Sequence, residues 1–347
     1  MSDSTKTLPS ESASASGMVS VLIRSTARMT LQRTLDSAAS QDYANVEIVV
    51  VAASGSTHPR LPQQWNGRSL RLITSDRALS RPAAANRLLG EARGEYIAFL
   101  DDDDQWKPWH LTTLVNVLRS TPMVSVAYSM AEIRDLLGRE QGALGLRAHP
   151  LTFAEQSPFA VHAALIRRQL ITDNAIAQFD ESLELLEDLD FFIACATLTP
   201  FAFVPEVTAI WNAASGESGH GLGSNATPQA REQAIGRIRQ KWMKQFEEWQ
   251  LQPLGQLDLA ALYLRCGDRA RAERMLKIAS RNEWRDQTLL NRFLQLCHEA
   301  GLIVGNEDEV SAGEVVQINI AASTKARAGQ NPYRMSAVGT VTNSPAR

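Results

Sequence analysis

AAANRLLGEARGEYIAFLDDDDQWKP, residues 83–108, carries the reading of this chain. Pro82 to Ala92 has the patterning of a helix that stops near Gly94, the residue type that most readily ends one. Tyr96 to Leu100 is an unbroken apolar run of strand length. Four carboxylates then follow without a gap, Asp101 to Asp104, and Pro108 opens a second helical pattern, to Leu118, as a first-turn proline.

The flanking segments repeat this alternation. Upstream, Val19 to Ile23 is short and β-branched, and a helical pattern follows with Leu31, Leu35, Ala38 and Ala39 on one face. Val46 to Val51 is almost wholly apolar, as a strand buried on both sides would be, and Leu70 to Ile73 is a weaker strand. Downstream, Val124 to Tyr128, His162 to Ile166 and Val207 to Trp211 read as strands, with a helix beginning near Glu187. This is the spacing of βαβ units, which predicts an α/β fold: an open, mostly parallel sheet with helices on both faces. Ligands of such sheets bind outside the carboxyl ends of the strands, which is where the Asp run falls.

Beyond a Gly- and Ser-rich loop, Ser215 to Ser224, the composition turns helical. Thr227 and Pro228 read as a helix cap and first turn, ahead of Ile235, Ile238, Trp242 and Phe246. Leu257 to Ala279 gives two helices joined by Cys266-Gly267-Asp268, a hairpin of the tetratricopeptide kind. One hairpin is too few for a solenoid, so it reads as an appendage. The expected organisation is a disordered tail at 1–17, an α/β domain at 18–225, a C-terminal helical region at 226–303, and a second disordered tail at 304–347.

Composition narrows the function classes. The 347 residues are 44% apolar with a formal charge of −3, lacking the basic excess of a general nucleic-acid binder. Three cysteines without ligand or redox spacing read as free thiols in a reducing compartment. Residues 1–17 lack the apolar core of a signal peptide, and no apolar stretch reaches the roughly 20 residues of a membrane span. A cytoplasmic protein without a transmembrane segment is expected, which leaves room for peripheral membrane contact.

Side chains alternate along an extended chain, so Asp101 and Asp103 can converge on one side. Like charges about 4 Å apart repel by about 1 kcal/mol in water and more in a cleft. A hard divalent cation shared with phosphates would offset that cost, since Mg²⁺ takes one or two carboxylates and completes its shell with water and phosphate. A solvated acidic turn leading into the next helix is the plainer alternative. A second group, Glu187-Asp188-Leu189-Asp190, is either a base beside apolar side chains or an acidic helix start.

Together, VSVLIRS at 19–25, VEIVVVAASGSTH at 46–58, the stretch at 83–108 and FDESLELLEDLDFF at 179–192 resemble the family 2 glycosyltransferases. The resemblance covers residues 18–215 and implies the Rossmann-like fold called GT-A. It also implies a nucleotide-diphosphate sugar donor, a Mn²⁺ or Mg²⁺ cofactor, and a hydroxyl acceptor on a sugar, a lipid-linked molecule or a protein. Polysaccharide assembly is the implied setting. Asp101 and Asp103 become the Asp-x-Asp pair, with Asp103 the preferred metal ligand, and Asp102 or Asp101 touches the ribose. Asp188 becomes the catalytic base of an inverting displacement. Arg24, Ser25, Thr26, Ala52 and Ala53 line the nucleoside pocket, and Asn86 stands on the helix before the aspartate strand, making a helix–loop or a ligand contact.

Three departures from the family pattern stand out. Ala52 and Ala53 replace the acidic residue that commonly reads the nucleobase. Arg24-Ser25 replaces Pro-Thr, and Arg24 either pairs with donor phosphate or projects into solvent. Leu189 replaces an aromatic residue. The altered pocket would also suit a non-catalytic relative that binds a partner through its helices. A nucleotidyltransferase is disfavoured, because no phosphate-cradling glycine loop follows the first strand. Of the remaining candidates, the 215–224 loop can close over the donor, with His220 as an exposed loop residue. His162 is expected to hydrogen-bond structurally, and Trp106 and Trp109 to pack the following helix.

Overall fold

The computed structural model describes residues 17–135, 137–175, 177–213, 226–282, 284–305 and the strand 319–322. The tails expected at 1–17 and 304–347 lie almost wholly outside these residues, and the 215–224 loop with His220 lies outside them entirely. The chain divides into two compact units, 1–147 with 153–243, and 148–152 with 244–347.

In the first unit, strands β1 (Val19–Ser25), β2 (Val46–Ala52) and β5 (Tyr96–Asp101) form the centre of the sheet. β1 and β2 are buried along their whole length, as their apolar sequences require when helices cover both faces. They pair in parallel, with Ser25 opposite Ala52 on one side and Arg24 opposite Asp101 on the other. This register sets the carboxyl ends of three strands level.

The sheet continues outward through β4 (Arg68–Ile73) to β3 (Gln64–Trp65). On the other side it runs through β9 (Ala164–Arg167), β7 (Val126–Arg134) and β10 (Phe201–Trp211) to β6 (Gln105–Trp106), and β8 (Glu140–Leu144) pairs with β7. The pairings of β3, β6, β8 and β9 are antiparallel and the others parallel.

Helices α1 (Leu31–Ala39) and α3 (His110–Ser120) bury Leu31, Leu35, Leu111, Leu114 and Leu118 against Val21, Ile23, Ile48 and Leu100. Helices α2 (Arg81–Glu91) and α5 (Glu187–Leu198) cover the opposite face. There Phe99 of β5 meets Phe179 and Phe191 edge-on, and those two rings stack at 4.3 Å. Helix α4 (Arg168–Thr172) is a short link after β9.

Several boundaries differ from the sequence reading, each for a local reason. His162 lies in a 3₁₀ turn, Val161–Ala163, ahead of β9 and not inside a strand. Pro108 stays outside α3, its carbonyl accepting from Asp42 N at 2.9 Å. The pattern after Pro228 is not one helix but two, α6 (Pro228–Lys241) and α7 (Met243–Gln250), interrupted at Trp242. Trp242 Nε1 donates to buried Asp190 at 2.7 Å, and Lys241 Nζ reaches the same carboxylate at 2.8 Å. Helix α6 therefore belongs to the first compact unit, which runs to Met243.

In the second unit, α8 (Pro253–Arg265) and α9 (Arg269–Ala279) make the hairpin and α10 (Gln287–Glu299) closes its core. Gly267 adopts φ +77°, which a glycine reaches without strain, and Asp268 caps α9 by accepting from Arg271 N at 3.0 Å. Strands β11 (Leu302–Gly305) and β12 (Asn319–Ala322) pair antiparallel.

Candidate active site

The Asp run does not continue the strand. Asp104 N donates to Asp101 O at 3.1 Å, so the four residues fold into a turn as β5 ends. The alternation of an extended chain therefore stops at Asp101, and each carboxylate meets its own surroundings. Helix α1 and the loop before it grip this turn from the side. Thr30 Oγ1 donates to Asp102 O at 2.8 Å, and Thr34 Oγ1 to Asp104 O at 2.9 Å.

Asp101 receives Arg24 at one oxygen, Oδ1, from Nε at 3.0 Å and from a terminal nitrogen at 2.7 Å. Burial pushes its carboxyl up, but Arg24 and Arg81 outweigh this and hold it at about 2. Asp102 is nearly sealed. Its Oδ2 accepts from Thr26 N at 2.8 Å and its Oδ1 faces Arg28 at 2.9 Å. Burial raises its pKa all the same. Arg28 also reaches Asp103 Oδ2 at 2.8 Å, so one guanidinium spans two neighbouring carboxylates.

Asp104 points inward, to Asn212 N at 2.8 Å and His162 Nδ1 at 3.1 Å. Burial, with Asp103 and Asp101 nearby, pushes its pKa well up. Burial takes His162 down to about 4, against the pull of Asp101 and Asp188. His162 is therefore neutral at ordinary pH, and its contact with Asp104 is a hydrogen bond and not an ion pair.

The second acidic group arrives from helix α5. Leu186 sits at φ +62°, turning the chain sharply before Glu187. Glu187 is buried. Its Oε1 takes Arg24 at 2.8 Å and Arg81 at 3.2 Å, and its Oε2 has no partner among the described residues. Burial raises its pKa, opposed by Arg81 and Arg24. Asp188 is half-buried, with Oδ1 accepting from Leu189 N at 2.9 Å and no described hydrogen bond at Oδ2. Asp190 is buried on the tie to Lys241 and Trp242.

On the side expected to bind the nucleoside, Ala52 and Ala53 are buried, and Ala53 N donates to Ser25 O at 2.8 Å. Ser25 Oγ accepts from Ala27 N at 3.0 Å and lies 2.8 Å from His58 Nε2. Thr26 is exposed at the rim. Asn86 clips the segment leading to α5, with Nδ2 donating to Phe179 O and Oδ1 accepting from Phe179 N, both at 2.9 Å. Arg24 does not project into solvent, for its side chain is 7% exposed and bridges Asp101 to Glu187. Trp106 is buried and stacks on His110 at 4.7 Å, whereas Trp109 is exposed.

Residues 25–171 match the family model described as Glycosyl transferase family 2. Those residues form a family 2 glycosyltransferase domain. Among curated relatives, the succinoglycan biosynthesis protein ExoO of Rhizobium meliloti (strain 1021) is 28% identical over 174 residues, 46% of this chain and 49% of that protein. The Escherichia coli enzyme UDP-Glc:alpha-D-GlcNAc-diphosphoundecaprenol beta-1,3-glucosyltransferase WfgD is 33% identical over 91 residues, 26% of this chain and 36% of that protein. Both matches take in half or less of the relative. Among solved structures, the mannosyltransferase PcManGT of Pyrobaculum calidifontis in complex with GDP-Man and Mn2+ is 18% identical, with a TM-score of 0.49, covering 81% of this chain and 80% of that one.

A divalent cation fits the family 2 site in a limited way. Asp101 Oδ2 has no described hydrogen bond and its side chain is 21% exposed, with Asp103 in the adjoining turn. The described residues contain no group of three or more His, Cys, Asp or Glu able to hold a metal. Asp101 and Asp103 could supply one or two carboxylate ligands, leaving the rest of a cation's shell to phosphate and water.

Several features of the site escaped the sequence reading: His58 on Ser25, Arg28 across two carboxylates, and Arg81 on Glu187. Arg28 and Arg81 are single cations in loop or helix-start positions, with nothing in their spacing to mark a partner. His58 lies inside the quoted 46–58 stretch but carries no ligand spacing. The three cysteines are free, as expected, and burial raises the thiols of Cys195 and Cys297, the latter to about 12.

Proposed function

We propose that this chain transfers a sugar from a nucleoside-diphosphate donor to a hydroxyl acceptor, with inversion at the anomeric carbon and Asp188 as the base. What carries the reading is that one buried guanidinium, Arg24, touches both acidic groups. Asp101 at the end of β5 and Glu187 beside Asp188 at the start of α5 thus share one strand-end site. The family 2 match over 25–171 independently supports the glycosyl transfer.

Asp101 and Asp103 would hold a Mn²⁺ or Mg²⁺ ion, which when bound offsets charge developing on the leaving diphosphate. Asp102, tied to Thr26 N, keeps the rim of the nucleoside side in place. The alanines at 52 and 53 leave recognition of the base to backbone groups and the Ser25–His58 pair. The acceptor hydroxyl oxygen attacks the anomeric carbon as the carbon–oxygen bond to the diphosphate breaks. The bonding pair leaves with the nucleoside diphosphate, and the hydroxyl proton passes to Asp188 Oδ2. A single base suffices, because the diphosphate leaves unprotonated.

Polysaccharide assembly is the setting we infer, since the named relatives are a succinoglycan biosynthesis protein and a glucosyltransferase acting on a diphosphoundecaprenol-linked sugar. A cytoplasmic location agrees with this reading, and no described helix is long and apolar enough to cross a membrane.

Calorimetry tests the proposal. UDP, GDP or dTDP should bind in the presence of Mn²⁺ or Mg²⁺, and Asp103→Ala should abolish that dependence. Asp188→Asn should lower turnover by roughly 10²–10⁴-fold while nucleotide still binds. Absent or metal-independent nucleotide binding would favour a non-catalytic scaffold instead.

A further inference from the structure

We infer that Arg24 is a positioning residue. By bridging Asp101 to Glu187 it fixes the start of helix α5, and with it Asp188, against the aspartate turn. The catalytic meaning of this tie rests on the function proposed above; the tie itself does not.

Three observations converge on it. The parallel register places Arg24 of β1 directly opposite Asp101 of β5, so its backbone position is set by the sheet and not by the loop beyond. Its guanidinium then makes three contacts within 3.0 Å, two to Asp101 and one to Glu187, while its side chain is only 7% exposed. A planar fork that serves two carboxylates at once fixes their separation, which a lysine reaching only one of them would not.

Helix α5 needs such a fixture. It begins directly after the left-handed Leu186, whose side chain makes no capping hydrogen bond. Two other links hold its first turn: Arg81, half-exposed and farther from Glu187, at 3.2 Å, and Asp190, whose ties to Lys241 and Trp242 lead to helix α6 and not to the aspartate turn. Asp188 has no described contact across to β1 or β5, so its place relative to Asp101 is inherited from Glu187, one residue away.

The test uses the full chain and reads structure and chemistry separately. Hydrogen exchange of peptides covering 186–192 and 101–106 should speed up together, by about 10-fold or more, in Arg24→Gln, with the peptides of the helical second unit unchanged. The Asp190 amide, which donates to Leu186 O at 3.1 Å, reports the first turn directly. In turnover, Arg24→Gln should lose on the order of 10²-fold, more of it in kcat than in donor KM. Arg24→Lys should recover part of the loss.

Glu187→Gln should be non-additive with Arg24→Gln, the double variant being no slower than Arg24→Gln alone. Unchanged exchange at 186–192, or losses that multiply in the double variant, would overturn the inference. A wild-type chain without turnover whose exchange still responds to Arg24→Gln would count against the proposed function and leave the tie standing.

Discussion

Within four residues, three acids take three different roles. Glu187 is buried and locked through one oxygen to two arginines, Asp190 is a buried strut for Lys241 and Trp242, and half-buried Asp188 keeps Oδ2 without a described hydrogen bond. Helical geometry turns Asp188 away from the other two, since residues one or two apart do not face each other. In the Asp run, Asp104 meets a buried, neutral His162 deep under the turn. His162 is held to about 4 in the fold against 6.5 when free. The unfolded chain therefore binds a proton that the folded chain refuses, and stability falls as pH drops from 6.5 toward 4. Urea titrations at pH 7 and pH 5 should show His162→Gln losing less stability over this interval than the wild type, by roughly 2 kcal/mol. His110, also pushed well down by burial, contributes a loss common to both proteins. Equal losses would mean that folded His162 accepts the proton.

At the scale of elements, the site is a product of strand register and of loops clamped onto it. β1, β2 and β5 end level, and the loops leaving β1 and β2 then fold over the edge. Gly55 shows how tightly. It sits at φ +74°, and a Cβ there would lie 2.8 Å from Arg77 C and 2.9 Å from Ala78 N. Both contacts are backbone and cannot swing aside, while Leu79 N binds Ala53 O at 2.9 Å close by. Gly55→Ala should therefore cost roughly 1–3 kcal/mol in urea denaturation. A neutral result would show that the 75–79 segment yields readily. These elements were legible in the sequence where burial was two-sided, as at Val46–Val51 and Tyr96–Leu100. The pattern failed where one side chain overrides local preference, as at Trp242, whose indole is drawn to Asp190 and breaks the helical run.

For the molecule as a whole, the residues assigned to donor, metal and base all fall in the first unit, and the helical unit has a core of its own. Phe293 is fully buried there and stacks on Trp284 at 4.9 Å. Phe293→Ala should destabilise that unit by about 3–5 kcal/mol, seen as a lowered thermal transition, with metal-dependent nucleotide binding retained below it. Loss of binding would mean that the helical unit supports the donor site.

The sequence by itself determined the α/β alternation, the strand-end position of the Asp run and the helix start at Glu187, because apolar periodicity and residue type are local properties. Only the tertiary structure decided which carboxylate meets which cation. Arg24 and Glu187 are 163 residues apart, and nothing local records that sheet register and the packing of Phe99, Phe179 and Phe191 bring them within 2.8 Å. Pairings of that kind depend on the whole chain having folded.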